Sequence, residues 1–269
     1  MQRGENMKYF VIADPHGFYN ETVKALKDAG YFDEKGEKRL VVVGDLLDRG
    51  SQANKIVEFM MKEDQAGRLI YVVGNHEDLM IDALQSIAKG EIFMVGNPVS
   101  HHYRNGTWDS ILQLSGMNER DAVASPIQLV RRVLDHDFYK TLLYHAKEYY
   151  ETEHYVFAHG YIPCNTEGFP PIISAATYDP NWREATPQMW RTARWYNGME
   201  MNYFHKVRIP DKTIVCGHWH ASYGHAYIEG KGSEYGSDAD FTPFYGDGII
   251  ALDACTKVSG FVNCVVLED

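Results

Sequence analysis

Three short segments concentrate residue types that bind metals and move protons: Asp14-Pro15-His16-Gly17, Gly44-Asp45-Leu46-Leu47-Asp48-Arg49-Gly50 and Gly74-Asn75-His76-Glu77. Two later segments, Phe157-Ala158-His159-Gly160 and Cys216-Gly217-His218-Trp219-His220, add further imidazoles. Carboxylate, imidazole and amide oxygen together suit borderline divalent ions such as Mn²⁺, Fe²⁺ and Zn²⁺. The donors outnumber those that one tetrahedral zinc requires. They suit a pair of ions about 3.5–4 Å apart with one bridging carboxylate, a centre that acidifies a bound water and clamps phosphoryl oxygens. Each segment taken singly has an ordinary explanation. Gly44-Asp45 can be a turn, Asp48-Arg49 a surface ion pair, Asn75-His76 a helix cap, and His218 with His220 a strand alternation. Their joint occurrence, each behind an apolar strand-like run, argues for a shared site.

Those runs have a clear order. Residues 8–14, 39–45 and 68–75 read as buried strands. Residues 21–29, 77–88 and a segment from a Ser51 cap to Gln65 read as helices. Continuous apolar strands alternating with helices form β-α-β units and a parallel sheet covered on both faces. The carboxyl ends of neighbouring parallel strands open on one crevice. Asp14, His16, Asp45, Asn75 and His76 are thereby expected in one place. Further helices are expected at 108–114 and 126–145, and a strand pair at 148–151 and 155–159 around Thr152-Glu153. Residues 161–211, rich in proline and aromatics with only 187–196 helical, read as a loop-rich insertion over the site. Strands at 213–216, 248–253 and 260–267 close the chain, and 221–247 reads as a surface loop or a hairpin-bearing flap. Trp182, Trp190, Trp195, Tyr196 and Tyr203 are expected to pack the insertion, and would be the first candidates to stack on a base if the substrate is a nucleotide. His101-His102 reads as a solvated loop.

Composition narrows the classes. The chain has 269 residues, 45% apolar and 23% charged, which excludes a disordered chain, a fibrous repeat and a small disulfide-stapled module. With 26 basic against 37 acidic residues and a net charge of −11, no bulk basic surface for nucleic acid is expected. No membrane span or secretory signal is evident, and the location expected is cytoplasmic. Cys164, Cys216, Cys255 and Cys264 form no C-x-x-C pair and read as free thiols in a reducing compartment.

In chain order the segments spell D-x-H, G-D-x-x-D-R-G, G-N-H-E, H-G and G-H-x-H, and so the chain resembles the calcineurin-like metallophosphoesterases from residue 8 to about 267. The second and third forms resemble the phosphoprotein phosphatase branch, which includes bacterial serine/threonine protein phosphatases and symmetrical bis(5′-nucleosyl)-tetraphosphatases. The resemblance implies one catalytic domain over 1–269, an α/β fold built as a four-layer α/β/β/α sandwich with two central mixed sheets. Periodicity alone shows only an α/β protein with a parallel portion. The resemblance also implies two divalent ions, manganese first, with iron or zinc as alternatives. Asp14 and His16 would bind the first metal, Asp45 would bridge, and Asn75, His159 and His218 would bind the second. His220 matches a first-metal ligand of the wider superfamily. His76 would be the general acid, oriented by Asp48, since a nearby carboxylate favours the imidazolium. Arg49 would bind the phosphoryl group through its planar fork.

The branch has a second phosphate-binding arginine in a W-x-R arrangement. Here Trp190-Arg191-Thr192-Ala193-Arg194 is out of register by one, so Arg191 and Arg194 both stand as candidates, Arg191 first. Other departures are Ala13 where glycine is usual, and His159-Gly160-Tyr161 without a second glycine. Asp253 reads as structural. The expected function is a phosphomonoesterase of the serine/threonine protein phosphatase type, in which water attacks phosphorus directly. The alternatives are a symmetrical dinucleoside tetraphosphate hydrolase and a phosphodiesterase, the latter marked by His220. A non-catalytic binding module on this fold would have lost a ligand or the acid, and all are in place.

Overall fold

Alternate side chains of the strands divide among three apolar cores, and this division sets the layers. The structure, a computed structural model, describes residues 7–269. In β1 (Lys8–Ala13), β2 (Lys38–Val43) and β3 (Leu69–Val72), the side chains Phe10, Ile12, Leu40, Val42 and Tyr71 face a first core. Tyr9, Val11, Ala13, Val41, Val43, Ile70 and Val72 face a second core. The first core is covered by α1 (Tyr19–Asp28), α2 (Ala53–Gln65), α3 (Asn75–Ala88) and two later helices, Thr107–Ser115 and Pro126–Asp135.

The second core is closed by another sheet. Its strands are β4 (Tyr150–Glu151), β5 (Tyr155–Phe157), β8 (Thr213–His220), β9 (Phe244–Gly246) and β10 (Ile249–Asp253). Phe157, Val215, Ile250 and Leu252 point inward to the first sheet, and Val156, Ile214, Cys216 and Ala251 point outward to a third core. Strands covered on both faces explain the unbroken apolar runs in the sequence. Burying each Val, Leu, Ile or Phe among them contributes roughly 1.5–3 kcal/mol.

The first sheet has the order β11-β1-β2-β3, with β1 to β3 parallel and β11 (Cys264–Glu268) antiparallel to β1. The second has the order β4-β5-β8-β10-β9, parallel at its centre and antiparallel at both edges. Both sheets are therefore mixed, as the resemblance implied, and helices cover their outer faces.

Several elements differ from the expected ones. The helix expected at 77–88 begins at Asn75, because the Glu77 carboxylate accepts from Gly74 N–H and caps the turn that holds Asn75 and His76. Ser51 caps nothing; α2 starts after Gln52. The expected helix 126–145 breaks at His136, whose ψ of 146° is extended, and a π-helical turn, Phe138–Leu142, follows. Residues 161–211 are more regular than expected. They hold the hairpin β6 (Asn165–Phe169) and β7 (Ile172–Thr177) and the helices Pro187–Ala193 and Gly198–Tyr203. Their aromatics mostly do pack: Trp182, Trp190 and Tyr196 are buried in the third core. Residues 221–247 carry a π-helical turn, Gly224–Ile228, and β9, which pairs with β10, rather than a hairpin of their own. His101 starts a short helix, His101–Arg104, rather than a loop. The four cysteines are free. Among the described residues no helix is long and apolar enough to cross a membrane.

Candidate active site

The central parallel strands of both sheets end at the same edge of the sandwich, and hydrogen bonds stitch those ends together. His218 N–H, at the end of β8, donates to both carboxylate oxygens of Asp14 at 3.0 Å. His159 Nδ1–H, just after β5, donates to Val43 O at the end of β2, 2.9 Å away. The fit requires glycine at two positions. A Cβ on Gly217 would sit 1.9 Å from Asp14 Oδ2, and one on Gly74 would sit 2.2 Å from Asp45 Oδ1. Six site residues, Asp14, His16, Asp45, Asp48, Arg49 and His218, adopt positive φ. Such conformations cost about 1–3 kcal/mol each and persist where the surroundings dictate them, typically at functional sites.

Asp45 stands at the centre. Its Oδ2 lies 3.7 Å from His16 Nε2 and 3.7 Å from His76 Nε2, while its Oδ1 lies 3.2 Å from His159 Nε2. Two donor groups result, His16–Asp45–His76 and Asp45–His159–His218, sharing that carboxylate. His16 Nδ1–H is committed to Leu47 O at 2.8 Å, so Nε2 is the ring nitrogen that presents its lone pair to the centre.

His159 is similar, and its Nε2 meets Asn75 Oδ1 at 2.8 Å as well as Asp45 Oδ1. Three atoms that can all present lone pairs converge there, which calls for a positive charge among them. Burial lowers the pKa of His159, but the carboxylates of Asp45 and Asp14 outweigh it and carry the ring up to about 10. A proton is one answer to that field, and a divalent cation is another. Burial, then the neighbouring His159 charge, pushes His218 down to about 3, leaving it the neutral imidazole a metal needs. The donor set fits two divalent ions.

The expected acid, His76, is itself one of these donors. His76 Nδ1 lies 2.7 Å from Asp48 Oδ2, which also accepts from Thr107 Oγ1 at 2.7 Å, and Asp48 N–H donates to Ser110 Oγ. Burial lowers the His76 pKa, but Asp45 and Asp48 more than compensate and raise it. Arg49 spans the mouth, with Nη1 2.7 Å from His16 Nε2 and Nη2 3.1 Å from His76 Nε2.

Two of the remaining expected residues separate from the cluster. Arg194 is buried and bonded to Asp78 at 2.6 and 2.7 Å and to Glu148. It is a structural tie between α3 and the chain after Pro187–Ala193. Arg191 instead pairs with Asp82 at 2.8 Å and lines a cleft next to the centre. His220 belongs to neither donor group. Its Nδ1 faces Asp253 Oδ2 at 3.8 Å and its ring packs against Tyr235 and Phe241. Asp253, read as structural, also accepts from Cys255 N–H.

Two residues beside the centre, Glu77 and His101, had no site role in the sequence reading. Glu77 is buried and accepts from the N–H groups of Gly74, Asp45 and Leu46, at 2.7, 3.0 and 3.0 Å, fixing the loop that carries Asp45. Its place in Gly74-Asn75-His76-Glu77 was the available signal. Trp195 sets its ring 5.6 Å from that of His218, and His101 lies 6.3 Å from Trp195. Trp195 was among the aromatics named as candidates to stack on a base, whereas nothing local marked His101 for the site.

A family model described as calcineurin-like phosphoesterase matches residues 7–222. An asymmetrical bis(5′-nucleosyl)-tetraphosphatase, PrpE of Bacillus velezensis, is 28% identical over 131 residues, covering 46% of this chain and 48% of the relative. Shewanella-like protein phosphatase 2 of Arabidopsis thaliana is 36% identical over 81 residues, covering 26% and 21%. The chain thus spans half or less of the length of these curated relatives. Among solved structures, the cold-active protein-tyrosine phosphatase of a psychrophilic Shewanella species covers 100% of this chain and 78% of its own, with a TM-score of 0.50 at 18% identity. That is a likeness of fold.

Proposed function

The chain belongs to the calcineurin-like phosphoesterase family, and from this premise we propose that it is a metal-dependent phosphoester hydrolase that cleaves dinucleoside polyphosphates by direct attack of water on phosphorus. The observation that carries the chemistry is Asp45, one oxygen of which faces His16 and the Asp48-oriented His76 while the other faces His159. The dinucleotide is supported by the names of curated relatives such as the Bacillus velezensis protein.

In this reading Asp14, His16 and Asp45 would hold one divalent ion, and Asp45, Asn75, His159 and His218 the other. When bound, the pair supplies an acidified water and neutralises charge on phosphoryl oxygens. The rest falls to the protein. Arg49 directs its two terminal nitrogens across the mouth and can transfer their N–H bonds to two phosphoryl oxygens. His76 keeps its Nδ1 proton on Asp48, so the proton it releases is the one on Nε2. That proton passes to the leaving oxygen as the P–O bond breaks. Arg191 stands at the edge of the centre, available to a second phosphate.

A phosphoprotein monoester is the second reading, favoured by the relative named as a protein phosphatase. Mn²⁺-reconstituted protein offered diadenosine tetraphosphate and a phosphothreonine peptide in parallel decides between them, with His76→Asn as control. Nucleotide products with little peptide turnover support the first reading, and phosphate from the peptide alone supports the second. Cleavage of neither overturns both.

A further inference from the structure

Resting on the dinucleotide reading, we propose that the cleft beside the metal donors receives the base of the bound nucleotide, with Trp195 and Phe169 as its aromatic walls and Gln188 reading the base edge. The cleft has a volume of about 610 Å³ and includes Asp82, Phe169, Pro170, Gln188, Arg191 and Trp195 in its lining. Cavities of this size hold small organic ligands. One end is the catalytic centre itself, because Trp195 packs edge-on to His218 with ring centroids 5.6 Å apart. The other is the tip of the β6–β7 hairpin, where Phe169 is 79% exposed. A large aromatic left in water at the rim of a catalytic cleft has apolar area to offer a ligand.

The chemistry along the cleft follows the parts of a nucleotide. Nearest the charged floor, Arg191 spends Nη2 on Asp82 and keeps other N–H groups for phosphate oxygens. The Gln188 amide carries a donor and an acceptor, the pair that reads adenine N6 and N7. Trp195 and Phe169 supply faces for stacking, which every base can use. A phosphoserine or phosphothreonine side chain has no ring to place on these walls. A phosphotyrosyl ring is bonded directly to the phosphoryl oxygen, stays at the metal end and has no edge for the amide.

The test uses Mn²⁺-loaded enzyme and the variants Phe169→Ala and Gln188→Ala. The readouts are KM for diadenosine tetraphosphate and the inhibition constants of AMP and orthophosphate on the same reaction. Loss of a stacking face weakens base binding roughly tenfold. KM and the AMP constant should therefore rise about tenfold in Phe169→Ala, while the orthophosphate constant and kcat stay at parental values. Phe169 is exposed, so its removal leaves the core intact. Equal changes for AMP and orthophosphate would overturn the assignment, as would parental constants in both variants, and in either case the dinucleotide reading stands. If the parent cleaves no dinucleotide, that reading falls and the base site falls with it. An effect of Phe169→Ala confined to a phosphotyrosine peptide would also overturn it, since the ring in the cleft would then be an aryl ester.

Discussion

The clearest perturbation separates two arginines three residues apart. Arg194 is 5% exposed and makes three hydrogen bonds, two to Asp78 and one to Glu148. Arg194→Ala strands the Asp78 carboxylate, itself buried, with only Arg191 Nε at 3.8 Å for company. Breaking one partner out of a buried ion pair costs about 3–5 kcal/mol. Each kcal/mol lowers Tm by about 2–4 °C in a chain of this size, so the variant should melt roughly 6–20 °C below the parent. Arg191 has a side chain 40% exposed and pairs with an equally open Asp82. Pairs of that kind contribute at most about 1 kcal/mol, so Arg191→Ala should melt within about 4 °C of the parent. Its loss should fall on kcat/KM instead. Paired thermal unfolding and Mn²⁺-dependent hydrolysis assays supply both readouts. Replacing Arg194 by Met together with Asp78 by Asn should recover part of the lost stability, because no buried charge is then left alone. The reasoning fails if Arg194→Ala melts with the parent and loses turnover while Arg191→Ala keeps it.

Other expected outcomes test the rest of the site. His76→Asn should lower kcat by about 10²–10⁴-fold, the usual contribution of a positioned acid, with metal content by elemental analysis unchanged. Gly217→Ala must push the Asp14 carboxylate aside, so calorimetric Mn²⁺ affinity should fall at least about tenfold while the far-ultraviolet circular dichroism is retained. Glu77→Ala leaves the buried N–H groups of Gly74, Asp45 and Leu46 without their acceptor. At about 1–3 kcal/mol per unsatisfied donor, urea unfolding should show a loss of at least about 3 kcal/mol. Mn²⁺ at a hundred times its dissociation constant should stabilise the folded chain by about 2.7 kcal/mol, and chelation should reverse the shift in Tm.

The parts of the site that read clearly from the sequence are those where chemistry and element are contiguous. Asp14, Asp45, Asn75, His76 and His159 each lie within two residues of the end of a buried strand or open the next helix. A parallel sheet gathers such ends whatever the details of packing. The pairing of His76 with Asp48 was implied by the resemblance, and the two side chains lie 2.7 Å apart. The four layers came from the resemblance rather than from periodicity, because β4 and β9 are two and three residues long and leave little pattern to see.

Partner choice was decided by the tertiary structure. Arg191 and Arg194 look alike in the chain, but Asp78 and Glu148 bury one and leave the other at the cleft. His218 and His220 would share a face of a regular strand. The positive φ of His218 and the register shift between Ala251 and Asp253 instead set His220 opposite Asp253. His101 and Trp195 meet only because two segments far apart in sequence fold over the same edge. Strand, helix and ligand type depend on neighbours along the chain, and those are written in order. Which side chain faces the metals, the substrate or a buried counter-charge depends on contacts between elements, and only folding brings those together.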